Sequence, residues 1–149
     1  MRQPTPSDAG NGIRVLFMDE NKPFLRTATN LLQRVNGLVV LDDVGEGEEA
    51  LSRTQRLQPQ VVLVSLDTPG QMGLKTILRL RRMIPDLTII ALSMVSGEAC
   101  RRAALTAGAD EFVPKRSLNN DLLPAIQRAM DRAQGAWEPG VPWPVMREG

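Results

Sequence analysis

The stretch VVLVSLDTPG, residues 61–70, decides how the rest of the chain is read. Its first part, VVLVSL, is a run of apolar β-formers interrupted only by Ser65, and Pro69-Gly70 marks a turn just after it. The run does not alternate between apolar and polar, so it reads as a strand buried on both faces, as in a parallel sheet covered by helices. The same signature recurs at IRVLFM (13–18), LVVL (38–41), LTIIAL (87–92) and the brief FV (112–113).

Between these runs lie longer stretches with helical spacing. Phe24, Ala28, Leu31, Leu32 and Val35 fall on one stripe, with Asn36-Gly37 as its stop. Ala50, Leu51, Thr54 and Leu57 form a second, behind the acids Glu46, Glu48 and Glu49, which favour a helix N-terminus. Leu74, Ile77, Leu78, Arg81 and Ile84 form a third, closed by Pro85, while the basic stripe Arg79, Arg81 and Arg82 reads as a solvated helix face. Ala99, Ala103, Ala104 and Ala107 form a fourth, ended by Gly108 as a left-handed cap. A fifth runs from about Asn120 to Ala133, with Pro124 placed in its first turn, where a missing N–H costs nothing.

Strand then helix, five times over, predicts an α/β fold, a doubly wound parallel sheet with right-handed crossovers. The domain spans residues 13–133. Residues 1–12 and the Pro/Gly/Trp segment 134–149, which holds Trp137 and Trp143, read as tails or a linker.

The chain has 149 residues, 42% of them hydrophobic, enough for one core and one domain. Its 18 basic and 17 acidic side chains give a net charge of +1, so no basic field exists to hold nucleic acid, and direct nucleic-acid binding is not expected. Histidine is absent, which excludes Ser-His-Asp hydrolysis, His-ligated zinc and a phosphohistidine relay on this chain. The single Cys100 has no partner for an internal disulfide and reads as a small packing residue. No apolar run approaches the ~20 residues that cross a bilayer, and the polar start lacks the apolar core of a secretory signal, so a cytoplasmic location and no membrane partner are expected.

In an open α/β sheet the ligand crevice lies beyond the C-terminal strand ends. Those ends carry Asp19-Glu20 after the first strand, Ser65 on the third, Ser93 on the fourth and Lys115 after the fifth. With VLFMDEN (15–21), PQVVLVSLDTPGQMG (59–73), IIALSM (89–94) and AGADEFVPK (107–115) in this order, the chain resembles a response-regulator receiver domain of bacterial two-component signalling.

The resemblance covers roughly residues 13–133 and implies a flavodoxin-like (βα)5 fold with strand order 2-1-3-4-5. It implies that Asp19 and Glu20 stand at the Mg²⁺ site and Ser65 at the phosphoacceptor position. Ser93 and Lys115 then follow the phosphoryl group, Phe112 is the switch aromatic, and Asp67 lends a backbone carbonyl to the metal.

Two departures from the family pattern carry functional weight. Ser65 stands where an aspartate belongs, and a hydroxyl needs a base where a carboxylate is already an anion. The missing charge weakens any Mg²⁺ site, since unit charges ~4 Å apart at an effective dielectric of ~20 interact by ~4 kcal/mol. Met94 stands where the family has Ala or Gly, and its side chain is expected to cover the path of a phosphodonor. Asp67 is a poor substitute acceptor, because Pro69-Gly70 argues against the strand continuing far enough to place it beside Ser65.

Lys115 is expected to pair with Asp19 or Glu20 across the vacant phosphate position. Mg²⁺ is expected weakly at most, and no other cofactor is implied. The expected function is a non-enzymatic, phosphorylation-independent pseudo-receiver. It would bind a protein partner or a second copy of itself through the face of helix 4, strand 5 and helix 5, about residues 97–133, with a sensor histidine kinase as a further partner. The alternative is a phosphoaccepting receiver, one version of which regulates transcription through an output domain outside this chain.

Overall fold

The structure, a computed structural model, describes residues 12–34, 37–44 and 47–134. The two tails read from the sequence, and with them Trp137 and Trp143, lie outside the described residues apart from Gly12 and Gln134. Five strands, β1 (Ile13–Met18), β2 (Leu38–Val44), β3 (Val61–Ser65), β4 (Thr88–Ser93) and β5 (Glu111–Pro114), alternate with five helices. These are α1 (Lys22–Gln33), α2 (Glu48–Leu57), α3 (Met72–Met83), α4 (Glu98–Ala107) and α5 (Leu118–Gln134). The sheet is parallel in the order β2-β1-β3-β4-β5, as the resemblance implied. Every residue of β3 and β4 is buried, because helices cover both faces of the central strands.

Two apolar clusters flank the sheet. On one side Ile13, Val15, Phe17 and Leu63 pack with Leu25, Leu32, Leu122 and Ile126 of α1 and α5. On the other Leu16, Val62, Val64 and Ile89 pack with Leu51, Ile77, Leu80 and Ala104 of α2, α3 and α4.

Several local expectations are corrected. β2 runs on through Asp42 and Asp43 to Val44 and skips a register step between Val15 and Leu16 of its neighbour. As an edge strand it tolerates acids, and Asp42 is taken up by Arg53 of α2. The buried face of α1 is Leu25, Ala28, Thr29 and Leu32, with Leu31 turned outward.

α3 buries Gly73, Thr76, Ile77 and Leu80, whereas Leu78 is 39% exposed. Its rotation is set at its first turn, where a Cβ on Gly73 would stand 2.2 Å from the Ser65 carbonyl oxygen. Only glycine lets the helix come that close to the end of β3. α4 buries Ala104 alone of the four alanines on its expected stripe.

α5 starts at Leu118 because Leu118 is drawn into the core, so Pro124 falls inside the helix, beyond the first turn. The carbonyl that loses its partner to that proline is on Asn120, an exposed residue. Arg81, read as part of a solvated basic stripe, instead binds the carbonyls of Pro85, Leu87 and Gly108 and the Asp110 carboxylate.

Candidate functional site

The site is assembled at the C-terminal edge of the sheet from four connections: β1 to α1, β3 to α3, β4 to α4 and β5 to α5. Each begins where a strand runs out, so the side chains that close the strands face a common space. Asp19 follows β1 and is fully buried, with its Oδ1 accepting the Asn21 N–H at 2.9 Å. Asn21 in turn caps α1 by accepting the Phe24 N–H at 3.0 Å.

Lys115 follows β5 and reaches across the edge. Its Nζ lies 2.7 Å from Asp19 Oδ2 and 3.0 Å from Asp67 Oδ2. It also stands 4.2 Å above the centre of the Phe24 ring, which packs edge-on against Phe17. The Lys115 and Asp19 side chains are 2% and 0% exposed. An ion pair this buried is favourable only when both charges are fully engaged, and here the ammonium serves two carboxylates and an aromatic face.

Ser65, the last residue of β3, is fully buried, and its Oγ accepts the N–H of Asp67 at 3.1 Å. The ladder continues one residue past the strand through the Leu66 N–H, which binds the Leu92 carbonyl at 2.7 Å. The strand ends at Ser65, as expected from Pro69-Gly70, and these two bonds bring Asp67 back over the sheet edge without it. Asp67 Oδ1 accepts the Ser93 hydroxyl at 2.8 Å, and Oδ2 accepts the Met94 N–H at 2.8 Å. Ser93 Oγ accepts the Val95 N–H at 3.0 Å, which leaves its proton aimed at Asp67.

Burial of Asp67 raises its carboxyl pKa, but bonds from Ser93, Met94 and Lys115, with the Lys115 charge, outweigh it and hold the group below the usual carboxylate range.

The structure thus brings Asp19, Ser65, Asp67, Ser93 and Lys115 together. Met94 contributes its backbone N–H, while its side chain is 60% exposed. Glu20 is exposed beside the site, and Phe112 is half-buried against the cluster of α2, α3 and α4. Sequence reasoning missed two participants, the Phe24 ring and the Met94 N–H. Phe24 was assigned to the packing face of a helix, and a backbone donor has no sequence signature.

Asp19, Glu20 and Ser65 make a poor donor set for a divalent cation. Both Asp19 oxygens are committed, one to Lys115 and one to Asn21, and Ser65 offers a neutral oxygen that already accepts a bond. Among the described residues no group of three or more His, Cys, Asp or Glu side chains is placed to hold a metal ion. No helix among them is long and apolar enough to cross a membrane.

Residues 15–127 match the family model described as the response regulator receiver domain. The chain is 31% identical over 115 residues to the response regulator GacA of Pseudomonas protegens, covering 77% of this chain and 54% of that protein. It is 36% identical over 118 residues to the transcriptional activator protein ExaE of Pseudomonas putida, covering 78% and 54%. The chain therefore spans about half the length of these curated relatives. Among solved structures, a two-component response regulator of the LuxR family from Aurantimonas superposes with a TM-score of 0.75 at 24% identity, covering 81% of this chain and 86% of that one. Fold and the family match over most of the described chain agree: this protein belongs to the response regulator receiver domain family of two-component signalling.

Proposed function

We propose that this receiver signals without being phosphorylated, as a cytoplasmic, non-enzymatic module that binds proteins. The observation that carries the reading is Ser65. At the acceptor position stands a fully buried neutral hydroxyl whose oxygen already accepts the Asp67 N–H. Attack on phosphorus requires an oxygen that is anionic, or a base beside it, together with a cation to gather charge. The carboxylates near Ser65 are instead spent on Lys115, Asn21, Ser93 and Met94.

The working unit is residues 13–133, and its partner surface is the face of α4, β5 and α5. β5 is an edge strand, and α4 turns Ala99, Arg101, Arg102 and Ala103 outward. A protein partner or a second copy of the chain is the occupant we assign to it. The mixed charge of the chain favours such a partner over nucleic acid or a membrane surface.

The test is incubation of the chain with acetyl phosphate and Mg²⁺, followed by intact-mass measurement and sedimentation. No added phosphoryl mass and no change in association are expected. Stoichiometric labelling at Ser65 or Asp67 contradicts the reading. The name of the ExaE relative favours a second reading, transcriptional output through a further domain, in which the receiver sets the association of that domain.

A further inference from the structure

We propose that Asp67 is a tethered anion, a ligand that the chain supplies to its own oxyanion seat and that keeps external phosphate out. The proposal deepens the reading above and rests on it in one respect, that the pocket is not used for phosphoryl transfer.

Three donors of different chemistry converge on the two Asp67 oxygens: a hydroxyl from Ser93, a backbone N–H from Met94 and the ammonium of Lys115. The first two come from the connection after β4, the third from the connection after β5, and the carboxylate from the connection after β3. This combination of charge-assisted and backbone donors is suited to an oxyanion of any shape, planar or tetrahedral.

Two of the three donors are held by partners other than Asp67. Lys115 keeps its 2.7 Å bond to Asp19, and Ser93 Oγ is oriented by the Val95 N–H at 3.0 Å. Asp67 itself is more open to solvent than the lysine that holds it. It lies on a loop past the strand end, its own N–H is held by Ser65 Oγ, and its side chain is 23% exposed. Water therefore reaches the carboxylate, and a small anion in solution competes with it for the same donors.

Asp67 also joins three loops at one point. Its two oxygens accept from the Ser93 hydroxyl and the Met94 N–H, beside the side chains of Met94 and Val95, which are 60% and 64% exposed.

The experiment uses the full chain, isotope-labelled, with inorganic phosphate as the probe and chloride at matched ionic strength as the control. The Met94 amide resonance reports the seat. In the wild type it is expected to stay in place through millimolar phosphate. In Asp67→Ala it is expected to shift in a saturable way, with affinity at least ~10-fold above the wild type. Adding Lys115→Met to that variant is expected to abolish the shift.

Should Asp67→Ala lose its folded spectrum, Asp67→Asn, which removes charge while keeping size, is expected to give the same saturable shift more weakly. A folded Asp67 variant that ignores phosphate overturns the proposal, as does a wild type that binds phosphate equally well. Labelling of the wild type by acetyl phosphate would instead overturn the reading of function, so the two failures are distinct.

Discussion

At each end of strands β4 and β5 a carboxylate meets a cation and a backbone N–H. At the N-terminal end Asp110 Oδ2 accepts from the Ile89 N–H at 2.8 Å and from Arg81 at 2.9 Å. At the C-terminal end Asp67 Oδ2 accepts from the Met94 N–H at 2.8 Å and from Lys115 at 3.0 Å. The local pattern is the same, and the cations make the difference.

Arg81 spends all its N–H groups, giving two bonds to the Gly108 carbonyl and one each to Pro85, Leu87 and Asp110. Those partners are mostly main chain, so the knot splices α3 to the turns before β4 and β5. Lys115 is a compact charge divided between two side chains, one sealed in the core and one open to water. A planar fork fixed by carbonyls builds structure, whereas a point charge shared with a loop carboxylate leaves a seat whose occupant can change.

The sharpest way to break this comparison is to remove each cation in turn. Lys115→Met leaves the fully buried Asp19 carboxylate without its counter-charge, and the expected loss is ~3–5 kcal/mol in urea unfolding at neutral pH. Arg81→Ala strands carbonyls of Gly108 and Leu87 at a site that is 26% exposed, and the expected loss is smaller, ~2 kcal/mol. Arg81→Lys is expected to recover little of it, because an ammonium cannot reach the same set of carbonyls. A larger loss at Arg81 than at Lys115 would show that the C-terminal knot is the weaker electrostatic unit.

Acid sharpens the comparison with a smaller effect. Asp67 sits below the usual carboxylate range for the reasons given above. Glu111 does too: burial raises it, and bonds from Arg128 and Arg132 with their charges outweigh that. A group depressed in the folded state binds fewer protons there than in the unfolded chain. Its contribution is complete above the unfolded value, ~4, and is lost as pH falls through the folded one. Stability is therefore expected to decline below pH ~4, by less than ~1 kcal/mol for each partly exposed group. Asp67→Asn is expected to flatten that decline in acid-unfolding curves, and an unchanged slope would remove Asp67 from the account.

Much of this was legible in the sequence because strands and strand ends are local. VVLVSL, IRVLFM and LTIIAL state buried parallel strands through composition alone, and the residue that reaches the sheet edge lies at or just after the end of each. Helix rotation was less legible. The faces of α1 and α3 are set by neighbours such as the Ser65 carbonyl under Gly73, which propensity does not encode. Burial of Leu118 likewise overrode the placement of Pro124 in a first turn.

Within the site, Asp19, Ser65, Ser93 and Lys115 could be found from position. The central part taken by Asp67 could not, because it depends on the Leu66 N–H and Ser65 Oγ steering a loop after the strand has stopped. Arg81 was misread for a related reason, since its partners are carbonyls from distant turns.

The central claim is that the Asp67 carboxylate is charged and held by Ser93, Met94 and Lys115. Titration of the side-chain carboxyl carbon of Asp67 by NMR tests it most directly. The account predicts a midpoint below the ordinary aspartate value of ~3.9, moving back toward it in Lys115→Met, with the Met94 amide reporting the same midpoint. A midpoint at or above the ordinary value, or an amide blind to it, would contradict the claim that the seat is filled from within.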